Sequence, residues 1–332
     1  MKASSYYSVR TGGRQDKRGE VKMEISILLF WQILSMFLML LMGFALVKTG
    51  LLKAQDSKTL SVLLLYLALP CAILDSFQVE YDSRILRGLM LAFAAAVICH
   101  VILLLAAGLL EKALHLTAVE KASVIYSNSS NLIIPIITAV LGPEWVVYST
   151  AYVSVQLLLL WTHGKVLLSG IKGADIRKIL TNINLLAVFA GILLFLTGFR
   201  LPDVLSDTLH SVGSMVAPAS MFIAGMLIAG MRPKQIFGNR RAYGIVCLRM
   251  LVFSAVSLLL LRLLKTAAAG VFADAQTILL ITLLAAITPP ASAVIQMSQV
   301  YGQDSEYAGV LNVLSTLVCI ITMPVTVLLY LM

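Results

Sequence analysis

Charge is scarce in this sequence: Asp, Glu, Lys and Arg make up 12% of its 332 residues, while 60% are apolar. Soluble domains carry roughly 25% charged residues, so water is not this chain's main solvent. The motifs of several membrane enzymes are also absent. There is no HExxH, no pair of aspartates within an apolar run and no aspartate cluster for Mg²⁺, which argues against metalloproteases, aspartyl proteases and lipid transferases. Without a Walker A sequence, ATP would have to come from another chain. The four cysteines, Cys71, Cys99, Cys247 and Cys319, lie in apolar runs without CxxC or Cys/His spacing, so they read as packing residues. No metal or cofactor is expected, nor an enzyme. No stretch is left for a soluble signalling domain, which weighs against a sensor.

What the chain does have is apolar runs long enough to cross a bilayer, about 20 residues each, where a helix must satisfy its own backbone. They fall near residues 25–47, 59–78, 86–110, 121–141 and 146–168, then 182–198, 205–230, 242–264, 275–299 and 307–331. The expected fold is an all-α integral membrane protein of about ten transmembrane helices. A polar linker at 169–181 separates a first five-helix unit, 23–168, from a second, 182–332. Prolines recur at matching places, Pro70 and Pro218 in the second span of each unit, Pro135 and Pro289-Pro290 in the fourth. Spacings of about 65 and about 71 residues mark two repeats, and an odd number of spans per unit makes them inverted.

The net charge of +9 is carried in short clusters between apolar runs, with no continuous basic face, so a nucleic-acid partner is not expected. Those clusters orient the chain instead. Lys48, Lys53, Lys112, Lys121, Lys172, Arg177, Arg232 and Arg241 fall on one side, against Arg84, Arg87, Arg200, Arg262 and Lys265 on the other. The midchain loop is therefore expected in the cytoplasm and the C-terminus outside a cell membrane. The basic tail 1–22 runs against this count. Two readings stand: residues upstream of a natural start at Met23, or a polar tail that crosses regardless.

The fourth span holds Tyr126-Ser127-Asn128-Ser129-Ser130-Asn131, followed by Pro135, inside an apolar helix. A proline cannot donate to the helix and crowds the preceding turn. Freed backbone at membrane depth is tolerated where it is buried or lines a wet cavity, so a break is expected at Pro135. The ninth span repeats the device with Thr288-Pro289-Pro290-Ala291-Ser292. Either break alone reads as a kink; two at matched positions point to broken, crossing helices four and nine. Asn128, Ser129, Ser130, Asn131, Pro135, Thr288, Pro289, Pro290 and Ser292 are the candidate substrate-binding residues. Half-helix N-termini meeting there would favour an anion.

Four further polar residues lie inside spans. His100 and the neutral Gln156 and Asn312 read as interhelical hydrogen-bond partners, with a binding or proton-relay role as the sharper alternative. Arg249, about two turns inside the eighth span, is expected to snorkel to the cytoplasmic interface, the alternative being attraction of an anionic substrate. Small residues crowd the seventh span, among them Gly213, Ala224 and Gly225, and allow close helix approach.

From Met23 to Met332 the chain resembles the auxin efflux carrier family, and specifically its shorter prokaryotic members. The resemblance rests on Asn184-Leu185-Leu186-Ala187 through Gly198, Leu201-Pro202, Ala217-Pro218-Ala219-Ser220-Met221 through Gly225, Ser315-Thr316-Leu317 and Met323-Pro324. It implies a scaffold and a transport domain, crossed unwound helices four and nine that hold the substrate, and a homodimer by analogy. It also implies a small organic anion as partner, auxin in plants and dicarboxylates such as malate or malonate in prokaryotes. Asn128-Ser129-Ser130-Asn131 stands where that family has a glycine-containing crossover, and Gln156 where an asparagine is usual. The expected function is secondary active transport of an organic anion, in contact with membrane lipid. A sodium-coupled symporter or a cation/proton antiporter of related fold is the alternative, and an antiporter would require buried carboxylates at the breaks.

Overall fold

The computed structural model describes residue 31 and residues 34–78, 82–170, 181, 183–272 and 274–332. The tail 1–22 and linker residues 171–180 lie outside the described residues, as do the side chains of Ser130, Asn131 and Pro135.

Among the described residues every regular element is a helix. In chain order those of eight residues or more are α1 (Leu34–Lys48), α2 (Ala54–Ser76), α3 (Ser83–Leu114), α4 (Ala118–Ile125), α5 (Ser129–Val140) and α6 (Pro143–Ser169). There follow α7 (Ile183–Thr197), α8 (Asp203–Ala229), α9 (Arg240–Ala268), α10 (Ala275–Ala286), α11 (Ser292–Val300) and α12 (Ser305–Leu331). Six of them, α2, α3, α6, α8, α9 and α12, are long and apolar enough to cross a membrane, and α1, α7 and α10 are shorter apolar helices. Their outer faces are greasy: Leu109 is 79% exposed, Leu263 69% and Leu193 63%. In water such surface would associate; against lipid it is at home.

Four helix starts are capped by side chains the local sequence supplies. Asp82 accepts from Arg84 N–H at the start of α3, and His115 closes that helix in the left-handed region at φ 50°. Thr117 and Glu120 form a reciprocal capping box on α4, Asn239 caps α9 and Asp304 caps α12.

Two sets of helices pack together. α2 lies against α7 and α8; α3 lies against α6 and α10; α9 contacts α10 and α12; and α11 packs on α12. α1 joins the first set through glycine. A Cβ at Gly225 of α8 would sit on the Leu40 carbonyl of α1, and one at Gly43 of α1 on the Phe222 carbonyl. The small residues of α8 thus serve backbone-to-backbone contact, which dispersion forces reward where no hydrophobic drive exists between helices in lipid.

α8, the seventh span, has a turn at Ser214–Met215 within it, and Gly213 just before the turn lies on the backbone of Ala72. Two expectations are corrected here. The fourth span does not break at Pro135. The non-helical residues are Tyr126–Asn128, and the α5 backbone runs helically through Pro135. The cause is the pairing made by this segment, described next. In the ninth span the interruption lies at 287–291, around Pro289-Pro290. All four cysteines are free, but Cys247 is exposed and so is not the packing residue its sequence context implies.

Candidate functional site

Pro289 and Pro290 have no N–H, and a residue before proline is pushed into extended backbone. The segment they form is therefore rich in acceptors and poor in donors. Tyr126–Asn128 supplies what it lacks. Asn128 N–H donates to the Pro289 carbonyl at 2.7 Å and Ala291 N–H to the Tyr126 carbonyl at 2.9 Å, so that Ser127 and Pro290 form an antiparallel bridge. The two breaks, far apart in sequence, satisfy each other.

Neighbouring helices finish the accounting of buried backbone groups. Gln156 on α6 accepts from Ser127 N–H at 3.0 Å and from its hydroxyl at 2.6 Å, and donates to its carbonyl at 2.7 Å. Asn312 on α12 donates to the Pro290 carbonyl at 2.5 Å. Each break is thus held by a carboxamide from the next long helix, α6 for the first and α12 for the second. Gln156 and Asn312 act as interhelical partners, aimed at unwound backbone.

Arg249 is where the structure overturns the sequence expectation. It does not reach an interface: it is 1% exposed. One terminal nitrogen donates to the Val124 carbonyl at 2.9 Å, the other to the carbonyls of Ala286 and Thr288, both at 2.7 Å. Orphan carbonyls at the ends of α4 and α10 offer a buried guanidinium better partners than a distant interface does.

On the other side of the bridge α5 and α11 begin. Ser292 hydroxyl donates to the Asn128 side-chain oxygen at 3.3 Å, joining the two starts. The Ser129 hydroxyl is buried and has no hydrogen-bond partner among the described residues. Thr288 is buried and turns its hydroxyl to the Ala285 carbonyl at 3.1 Å. Beside the bridge runs an apolar crevice between the two sets of helices, bordered by Phe37, Leu132, Ile136, Met221, Thr288 and Pro289.

Of the sequence candidates, Asn128, Ser129, Thr288, Pro289, Pro290, Ser292, Gln156, Arg249 and Asn312 therefore come together around one bridge. Ser130, Asn131 and Pro135 share the α5 backbone, and their side chains lie outside the described residues. His100 is fully buried on α3, its Nδ1 2.8 Å from the Ala96 carbonyl and its ring 4.4 Å from that of Tyr152. Its Nε2 is buried without a partner among the described residues.

Two groups were not anticipated. Tyr126 hydroxyl lies 3.1 Å from the Leu159 carbonyl and 2.8 Å from His163 Nδ1. Glu120, fully buried, binds Arg241 at 2.5 and 2.8 Å and the Tyr307 hydroxyl at 2.9 Å, tying α4 to α9 and α12. The Thr117-x-x-Glu120 capping signature was a readable signal for the carboxylate's position, though not for its partners.

An all-helical fold with a lipid-compatible surface and two mutually paired helix breaks buried in its core is that of a multi-pass membrane protein, and broken helices of this kind recur in transporters. The model of the membrane transport protein family matches residues 28–175 and again 168–327, and the chain belongs to that family, the auxin efflux carriers. A comparison with curated proteins gives no match.

Proposed function

We propose that the protein is a secondary active carrier of a small organic anion, bound where the two breaks meet. In this reading the chain has ten spans in two inverted five-helix repeats, α4–α5 and α10–α11 are crossover helices, and access alternates between the two sides of a cell membrane. The midchain loop faces the cytoplasm and the C-terminus the outside, as the distribution of basic residues favours.

The observation that carries the reading is the Ser127–Pro290 bridge, which sets the starts of α5 and α11 side by side next to the Ser129 hydroxyl, which has no partner among the described residues. Helix starts present free N–H groups and partial positive charge, a ready site for a carboxylate. Asn128 and Ser292 add side-chain hydrogen-bonding groups. The adjoining crevice is narrow and lined mostly by hydrocarbon, so an anion with an apolar body is the one tested first.

The test is uptake into proteoliposomes from a panel of radiolabelled mono- and dicarboxylates. Saturable uptake of at least one apolar monocarboxylate, reduced in Asn128→Ala, is expected. Folded protein that moves and binds none of the panel would overturn the proposal.

A further inference from the structure

Arg249 is a full positive charge inside the helical core, and among the described residues it makes no ion pair with a carboxylate. A buried charge without compensation costs many kcal/mol. Its compensation is backbone at the two terminal nitrogens, while its Nε has no partner among the described residues. A helix C-terminus ends in carbonyls without intrahelical partners and carries a partial negative charge of roughly half an electron. α4 and α10 end beside one another, so two such termini meet, and the Thr288 carbonyl of the second break joins them. Val124, Ala286 and Thr288 form a cage of three carbonyl oxygens, each within 2.9 Å of a guanidinium nitrogen. Carbonyl oxygens are also ligands that hard cations take.

The guanidinium is brought there by the helix that bears it. α9 widens into a π-type turn over Leu248–Phe253, a local geometry that re-aims side chains and recurs at functional sites. The planar fork then does what a point charge does not. One nitrogen serves the first break, the other serves the second, so a single side chain fixes the distance between them.

We propose that Arg249 is a resident cation and a positioning residue: it fills the carbonyl cage that a free monovalent cation would otherwise occupy, and it clamps the two breaks in register. No inorganic cation is then taken up between the ends of α4 and α10. Removing the side chain turns the cage into a vacant site for a guanidinium-type cation. This rests on geometry alone for its stability arm and on the carrier reading for its transport arm, so the two fail separately.

The experiment is Arg249→Ala in detergent and in proteoliposomes, with low-millimolar guanidinium or methylguanidinium chloride against the same concentration of choline chloride. The expected result is a lower Tm, uptake reduced at least about tenfold through loss of charge-assisted bonds, and a guanidinium-specific rise in Tm in the variant but not in the native chain. Partial return of uptake with the same cation is expected alongside, which a residue with a merely structural role would not show. Should Arg249→Ala not be recovered folded, Arg249→Lys serves: it keeps the charge but not the fork, and an intermediate Tm with reduced uptake is expected. The proposal is overturned by Arg249→Ala that guanidinium affects no more than choline does, or by Arg249→Lys equal to the native chain in both Tm and uptake.

Discussion

The carboxamide of Gln156 occupies every polar group of Ser127: the N–H and hydroxyl at its oxygen, the carbonyl at its nitrogen. Ser127 is thereby released from any helix, and its neighbours are free to pair with the double-proline segment. Gln156→Leu keeps the volume and deletes all three bonds. Leaving buried groups unpaired costs about 1–3 kcal/mol each, so a fall in detergent Tm and a loss of uptake are expected together. Scanning fluorimetry at matched detergent checks this, and an unchanged Tm would mean Ser127 finds other partners.

Asn312 does the corresponding work for Pro290 with a single donor. Asn312→Asp preserves the shape, removes the donor and sets an acceptor against a carbonyl. It is expected to reduce uptake more than Asn312→Ser, which keeps a hydroxyl donor. Equal uptake in the two variants would assign Asn312 to packing only.

How far the sequence revealed these features depends on their range. Apolar runs and the prolines are local; they marked the fourth and ninth spans as interrupted and located the second break, around Pro289-Pro290, but not the first. Partnership is not local. Nothing in the residues around Arg249 tells that α4 and α10 end beside it, so an interface seemed the nearest relief for its charge. Pro135 misled for a related reason. Its missing donor does weaken α5, but the unwinding occurs at Tyr126–Asn128, where the opposing Pro289 and Pro290 need donors and Gln156 takes up Ser127. Pro135→Ala is accordingly expected to leave the break, and substantial uptake, in place.

Gly225 has no room for a side chain, since a Cβ there would meet the Leu40 carbonyl of α1. Gly225→Ala should push α1 from α8, with a loss of about 1–3 kcal/mol typical of overpacking. Thermal unfolding checks it, with Gly244→Ala as the control, because a Cβ at Gly244 meets nothing within 4 Å. Similar Tm values for the two variants would show that α1 can shift freely.

Glu120 is fully buried while the side chain of its partner Arg241 is about half exposed, at 50%. The two ends of the bond are therefore unequal. Arg241→Ala strands a carboxylate with Tyr307 and the Thr117 N–H as remaining donors, whereas Glu120→Gln keeps a polar, uncharged group that fits the same space. Arg241→Ala is expected to lower Tm more than Glu120→Gln does, and the double variant Glu120→Gln/Arg241→Ala should recover part of the loss. Strictly additive effects in that double-mutant cycle would show that the pair does not couple α4 to α9.

Binding at the breaks should separate from stability at Asn128 and Ser129. Among the described residues the Asn128 side-chain oxygen accepts only the long bond from Ser292, at 3.3 Å, and the Ser129 hydroxyl has no partner. Neither side chain contributes much to holding the fold, in contrast with Gln156. If a carboxylate sits across the starts of α5 and α11, each offers it a hydrogen bond that the empty protein does not use. Losing one such buried bond costs about 1–3 kcal/mol, roughly 5- to 150-fold in affinity. Asn128→Ala and Ser129→Ala are therefore expected to weaken binding of a transported carboxylate by that factor while Tm stays near the native value. Calorimetric titration beside a thermal scan measures both. Gln156→Leu should show the opposite balance, with the larger effect on Tm. Native affinity in Asn128→Ala and Ser129→Ala, alongside weakened binding in a variant of the crevice wall such as Phe37→Ala, would move the anion away from the helix starts and into the apolar crevice.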